Sequence, residues 1–357
     1  MQALFGQVRY RILPIVFDKL MIRAAGTPTN KLSRNQLEKI MRIGFIGLGN
    51  VGGKLAGCLL RNGFDLIVHD LERDAAQPFI EQGAIWAESP GEMTEKADMV
   101  ITCLPSPEAS ATVMASKDGI LSAMGPGKIW AEMSTTDETE IKRLGALVEE
   151  RGGEAIDCPV SGGCHRATTG NISIFVGTRR ATFEKALPVI SAMGRRILHT
   201  GPLGSASILK VVTNYLASVN LVALGEAMMT AKCAGVDLNT TYEAIRISSG
   251  NSFVHETESQ VILNGSRNIN FTLDLVVKDM SLFEAVAKRG GVPLEISPRL
   301  LEIFLDGQER YGPREWSPNI VRRLEEACSE TLLAPGFPAE IIDDEAEAAG
   351  REVGRSN

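Results

Sequence analysis

The sequence predicts an α/β protein in two parts, a doubly wound, mainly parallel sheet followed by an all-helical domain, with one long helix joining them. Three observations lead there. Between residue 41 and about 202, strand-like and helix-like pieces alternate, as in successive βαβ units. After Pro202-Leu203-Gly204 the strand patterns stop and only helical ones follow. The first strand runs straight into glycines spaced G-x-G-x-x-G, and a helix opens on the last of them.

The strand candidates are Arg42–Ile46, Asp65–His69, Ala84–Trp86, Met99–Cys103, Ile129–Glu132, Glu154–Asp157 and Ile172–Val176. Helical patterns such as Ala75–Gln82 and Thr139–Arg151 lie between most of them. Ser205–Ala234 reads as one helix, which at 1.5 Å per residue would span roughly 45 Å, enough to cross between domains. Asn239–Ile247, Phe253–Leu263, Leu273–Arg289 and Ser297–Leu305 follow, separated by Gly, Asn and Pro signals. The expected division is a basic extension at 1–40, a dinucleotide-binding domain at 41–202, a helical domain at 203–330 and a poorly ordered tail at 331–357. The tail is placed there by Pro335, Gly336, Pro338 and the acidic run Asp343–Glu347.

The dinucleotide expectation rests on Gly47, Leu48, Gly49, Asn50, Val51 and Gly52 in their context. Gly47 permits a tight turn, Gly49 lets backbone approach a pyrophosphate, and Gly52 lets helix and strand pack closely. The phosphates would lie at the helix N-terminus, where unpaired N–H groups favour negative charge. Asp70 ends the second strand, where an acid would hydrogen-bond a ribose 2′-hydroxyl. A carboxylate there favours NAD over NADP, although Arg73 is close enough to leave NADP open.

At 357 residues the chain has room for two domains with real cores. A net charge of −7 gives no reason to expect a nucleic-acid partner. Six cysteines show no C-x-x-C pair and no ligand-like spacing with the four histidines. They read as reduced thiols of a cytoplasmic protein, with no metal site and no disulfide framework expected. Residues 1–40 carry seven Lys or Arg against two acids, too basic and too interrupted for a secretory segment. They read either as a transit-like or disordered leader or, the favoured reading, as an extension upstream of a true start at Met41. Val211–Ala231 holds a single charge, Glu226. A central helix buried between domains or subunits fits it better than a membrane span.

Four further segments fall into register with one family. The chain resembles the β-hydroxyacid dehydrogenases, the 3-hydroxyisobutyrate dehydrogenase-like group related to 6-phosphogluconate dehydrogenase, over about Met41 to Glu326. Ile101-Thr-Cys-Leu-Pro-Ser-Pro is similar to the family's cofactor-contacting loop, with Leu104 and Pro105 matching. In Glu132-Met-Ser-Thr, Thr135 matches a residue near the nicotinamide. Asp157-Cys-Pro-Val-Ser-Gly-Gly, followed by Gly170-Asn-Ile-Ser-Ile-Phe-Val-Gly, is similar to the substrate-binding signature. Ser161, Gly162 and Gly163 suit a carboxylate, since glycines bare their N–H groups and the hydroxyl adds a donor. Lys210 and Asn214 stand at i and i+4 on one helix face. The resemblance makes Lys210 the catalytic lysine, Asn214 the residue that orients substrate, and Lys278 of the Lys278-Asp279 pair a group that closes over the cofactor.

The resemblance implies a small hydroxyacid or semialdehyde as substrate and a homodimer or homotetramer as assembly. An imine-reductase-like activity and a catalytically silent dinucleotide-binding module are the rival readings. Two departures concern the substrate. His165-Arg166 replaces small residues after the Ser-Gly-Gly loop, and Arg166 favours a second anionic group on the substrate. Ala109 stands where a polar residue is usual and weakens one ribose contact.

Overall fold

A computed structural model describes residues 41–354. The expected extension at 1–40 lies outside the described residues. The first half of the sheet is built from β1 (Ile43–Ile46), α1 (Gly52–Arg61), β2 (Leu66–His69), α2 (Arg73–Ile80), β3 (Ile85–Trp86), α3 (Pro90–Lys96) and β4 (Met99–Thr102). Then come α4 (Pro107–Ala115), α5 (Ile120–Ala123), β5 (Ile129–Glu132), α6 (Glu138–Glu150), β6 (Glu154–Asp157) and β7 (Val160–Ser161). The sheet half closes with α7 (Gly163–Thr169), β8 (Ser173–Gly177), α8 (Arg180–Ser191) and β9 (Arg196–Gly201). The helical half holds α9 (Ser205–Cys233), α10 (Leu238–Arg246), α11 (Phe253–Asn264), α12 (Leu273–Arg289), α13 (Ser297–Tyr311), a 3-10 turn (Ser317–Val321) and α14 (Arg322–Cys328). A last short strand, β10 (Arg351–Glu352), returns to the sheet.

The strands lie in the order β10-β9-β8-β6-β5-β4-β1-β2-β3, with β7 beside β8. Pairing is parallel except where β8 meets β6 and β7. Strand periodicity sorts the side chains into two cores. Ile43, Phe45, Val68 and Ile101 face one layer of helices, and Ile46, Ile67, Val100 and Trp130 face the other. Side chains on several loops start helices: Ser89, Ser106, Asp137, Asp237 and Ser252 each accept a backbone N–H in the first turn that follows.

α9 is the axis of the helical half. Its Leu221, Leu224 and Met228 join Leu263, Leu273, Met280 and Phe304 in a separate core. It is long and apolar enough to cross a membrane by length and composition alone, but here it is the helix around which a domain is packed.

Two expectations are corrected. The tail expected to be poorly ordered from 331 onward is laid along the protein, and β10 pairs in parallel with β9. Its composition is that of a loop, but its hydrogen bonds come from fixed partners on both halves. α13, expected to stop at Leu305 before Asp306-Gly307, continues to Tyr311. Gly307 is there for packing, because a Cβ on it would sit 2.6 Å from Ile320 Cδ1.

Candidate active site

The strand order reverses between β4 and β1, and the crevice beyond the carboxyl ends of such strands is where an open α/β sheet takes its ligand. The glycine turn lies there. Gly47 has φ +95°, and a Cβ on it would lie 2.3 Å from the Cys103 carbonyl oxygen. A Cβ on Gly52 would lie 2.0 Å from the Gly47 carbonyl oxygen. A Cβ on Gly49 would meet nothing within 4 Å. The outer glycines therefore allow close backbone packing, while the middle one borders open space at the first turn of α1. That bare ground beside a helix N-terminus fits a pyrophosphate.

Asp70 follows β2 and accepts the Leu48 N–H at 2.6 Å and the Glu72 N–H at 3.0 Å. It ties the corner where a ribose would sit to the glycine turn. Asn50 and Val51 complete that turn, with the Val51 carbonyl accepting the Leu55 N–H at 3.1 Å. Arg73 turns away, 5.3 Å over the Trp86 ring and 3.4 Å from Glu88.

The Leu104-Pro105 loop is anchored by residues the sequence reading did not single out. Leu104 N–H donates to Ser134 Oγ at 2.7 Å. Ser134 in turn donates from its amide to Glu132 Oε1 at 2.9 Å and from its hydroxyl to the same oxygen. Glu132 is fully buried, and burial pushes its carboxyl above the usual range against the pull of those hydrogen bonds. The one sequence signal was an acid ending the apolar run Ile129-Trp-Ala. Nearby, the N–H of Ala109 is taken by the Ser106 hydroxyl at 3.2 Å.

The long helix supplies the amine. Asp157, at the end of β6, accepts from the Gly204 N–H at 2.8 Å, the Ser207 N–H at 2.7 Å and the Ser207 hydroxyl at 2.9 Å. A buried carboxylate from the sheet thus caps α9 and fixes its first turn. Lys210, one turn on, is buried, and its Nζ donates to Asn214 Oδ1 at 2.8 Å. Asn214 Nδ2 donates to Asp279 Oδ2 at 2.5 Å. Asp279 Oδ1 pairs with Lys278 Nζ at 2.8 Å, and Lys278 reaches the Thr135 carbonyl at 2.7 Å. Asp279, which could have been one of the acids of a solvated helix face, is 3% exposed. Burial pulls the Lys210 pKa down to about 8; Asp279 opposes that shift and Lys278 adds to it.

In the sheet half, Gly162 and Gly163 take left-handed conformations, φ +128° and +87°. Ser161 pairs with Ser173 across β7 and β8. Arg166 folds back so that its Cδ would be 3.4 Å from a Cβ on Gly162, and its guanidinium stands 5.0 Å over the Phe253 ring at the start of α11. The structure therefore links Lys210, Asn214, Asp279, Lys278 and Thr135 in one chain. Among the described residues, no hydrogen bond joins Ser161, Gly162, Gly163 or Arg166 to Lys210 or Asn214.

A glycine turn opening a helix at the sheet's switch point, together with a buried lysine on the helix that follows the sheet, is the arrangement of a two-domain NAD(P)-binding oxidoreductase. Comparison with known proteins agrees. Residues 42–201 match the NAD-binding domain of 6-phosphogluconate dehydrogenase, and 204–324 match the NAD-binding domain of NADP-dependent 3-hydroxyisobutyrate dehydrogenase. The chain is 33% identical to 2-(hydroxymethyl)glutarate dehydrogenase of Eubacterium barkeri, over 81% of this chain and 97% of that one. It is 32% identical to the NAD-dependent L-serine dehydrogenase of Pseudomonas aeruginosa, over 79% and 97%. Among solved structures, 3-hydroxyisobutyrate dehydrogenase of Mycobacterium tuberculosis with L-serine superposes at TM-score 0.73 and 26% identity, over 80% of this chain and 99% of that one. The chain belongs to the β-hydroxyacid dehydrogenase family and is an NAD(P)-dependent hydroxyacid oxidoreductase. The imine reductase of Myxococcus stipitatus, at 14% identity and TM-score 0.55, shares the fold alone.

Proposed function

We propose that the protein interconverts a small β-hydroxyacid and its semialdehyde, with Lys210 as general acid and base and NAD as the preferred cofactor. The observation that carries this reading is the buried Lys210 amine, brought to a pKa of about 8 and held by Asn214 at 2.8 Å. A base works best near the pH at which it operates. When bound, the nicotinamide supplies hydride exchange at the carbinol carbon. In oxidation the neutral Lys210 amine takes the hydroxyl proton as the carbonyl forms, and in reduction the ammonium returns it. Asn214 is engaged on both sides, by Lys210 and Asp279, so it fixes the direction of the amine. Ser161, Gly162 and Gly163 would receive the carboxylate on their N–H groups and hydroxyl. Leu104, Pro105, Thr135 and Lys278 would line the nicotinamide side, and Gly47 to Gly52 with Asp70 the adenosine side.

Arg166 supports a substrate with two anionic groups, because its side chain lies along the Gly162 backbone. The Eubacterium barkeri relative is named for a dicarboxylate. A cytoplasmic homo-oligomer fits the six free cysteines and the exposed Leu209 and Leu216 on the apolar α9.

The test is steady-state turnover by the full chain on a panel of β-hydroxyacids and semialdehydes, with NAD and NADP in parallel. Turnover of β-hydroxyacids, faster with NAD, is expected. Tight NADH binding without turnover of any member would favour a non-catalytic module.

A further inference from the structure

The C-terminal segment lies beyond the residues matched to the family models, yet it touches both halves of the protein. On the helical half, Leu332 is fully buried and the Ala334 N–H donates to the Leu263 carbonyl at 3.0 Å. The Phe337 carbonyl accepts from Asn264 at 2.8 Å, and the Ala339 carbonyl from Ser266 at 2.6 Å. Four residues later the chain is fastened to the sheet half. Asp343 Oδ2 accepts from Asn171 Nδ2 at 2.8 Å and from the Thr169 hydroxyl. Asn171 Nδ2 also donates to the Glu345 carbonyl at 2.7 Å. The run ends with a two-pronged Arg180–Glu352 pair at 2.6 and 2.9 Å and the β10–β9 ladder.

The point of attachment matters. Asn171 has no exposed surface, and its amide donor is spent on the tail. A buried amide donor without partners is costly, and it is this segment that supplies the partners of Asn171 Nδ2. Thr169 and Asn171 flank the C-terminal end of α7, whose other end carries the Ser161–Gly163 loop and whose middle carries Arg166. A seven-residue helix is about 10 Å long and stiff, so what grips one end positions the other.

We propose that the C-terminal segment is a positioning strap for the substrate side of the cleft, with Asp343 as the residue that holds α7, and through it the substrate loop and Arg166, at a fixed distance from the helical half. Its kinetic part rests on the reading that this loop grips the substrate carboxylate. Asp343 acts through α7, where its charge also bears on His165 and Arg166, and does not touch substrate.

The test compares the full chain with Asp343→Ala, Asp343→Glu and Gly350→Val. Gly350 has no room for a side chain, since a Cβ would lie 1.9 Å from the Gly194 carbonyl oxygen, so the valine lifts the last strand by a separate route. With Asp343→Ala and Gly350→Val, KM for the hydroxyacid should rise about tenfold, the worth of one or two hydrogen bonds. The values of kcat and the cofactor KM should stay within about twofold, and Asp343→Glu should recover most of the loss. Amide hydrogen exchange at 163–171 should quicken in the first two variants. Unchanged exchange at 163–171 in both overturns the strap, as does an equal rise in both KM values. Quickened exchange in a protein that turns over no hydroxyacid supports the strap and removes the activity reading instead.

Discussion

Lys278 and Thr135 meet across the cleft. The lysine ammonium on α12 donates to the threonine carbonyl beyond β5 at 2.7 Å. The same ammonium pairs with Asp279 at 2.8 Å, and Asp279 leads through Asn214 to Lys210. One cation thus bridges the two halves and also adds to the burial that lowers the pKa of the amine proposed to do the chemistry.

The pH dependence follows from that chain. With Lys210 near 8, kcat/KM for hydroxyacid oxidation should rise with pH and level off above about 8, where the amine is neutral. Semialdehyde reduction needs the ammonium and should fall above the same pH. Asp279→Asn removes the charge that raises the Lys210 pKa, so its profile should move to lower pH. Lys278→Met removes the charge that lowers it, so its profile should move to higher pH. Profiles that stay in place in both variants would mean that another group controls the proton.

Lys210→Ala should cut kcat by about 10³-fold, within the range for loss of a general base. NADH affinity, measured by fluorescence titration, should be unchanged. Lys210→Met should be more stable as well as inactive. The folded pKa of about 8 lies below the ordinary 10.5, so the unfolded chain binds more protons between those values. The burial penalty is therefore present in full below about 8, shrinks as pH rises, and is gone above 10.5. Methionine removes it but leaves Asn214 Oδ1 without its donor, for a net gain of about 2 kcal/mol at pH 7. A melting temperature at or below that of the parent at pH 7 would count against a desolvated lysine.

Much of this was legible in the sequence, for identifiable reasons. Strands and helices follow from hydrophobic period, and the i, i+4 spacing of Lys210 and Asn214 is helix geometry. What escaped depends on tertiary partners. β9 escapes the hydrophobic period because Arg196 and His199 interrupt its apolar run, although Ile197 is fully buried. Beyond an acid at the end of an apolar run, Glu132 and Ser134 give no local sign that they brace Leu104. Asp279 is legible as an acid beside Lys278, but its burial is decided by α9 packing against α12. The tail reads as loop because no composition rule reports that Asn171 waits for Asp343.

The glycine fingerprint separates folding from binding. Gly52→Ala puts a methyl 2.0 Å from a backbone oxygen, so both stability and NADH affinity should fall. Gly49→Ala meets no protein atom within 4 Å, so melting should be unchanged while NADH Kd rises about tenfold or more. Normal NADH affinity in Gly49→Ala would place the phosphates elsewhere.

In the proposed reading, Arg166 is the residue on which substrate class turns. Its guanidinium rests over Phe253 and its stem lies along Gly162, so it can leave the ring for a second carboxylate without moving the loop. Arg166→Ala should lower kcat/KM for dianionic hydroxyacids by about 10²-fold and for monoanionic ones by less than about threefold. An equal loss on both classes would make Arg166 a structural support of the loop.

The proposed preference for NAD rests on Asp70, whose two oxygens are held by the Leu48 and Glu72 N–H groups. Arg73, the cation that would welcome a 2′-phosphate, is paired with Glu88 and stacked on Trp86. Asp70→Ala should therefore raise KM for NAD about tenfold and leave KM for NADP level or lower, since it removes a ribose acceptor and a repulsion together. Adding Glu88→Ala frees Arg73 and should carry the preference over to NADP, read as the ratio of kcat/KM with the two cofactors. If that ratio is the same in the parent and both variants, the acid at the end of β2 does not read the ribose.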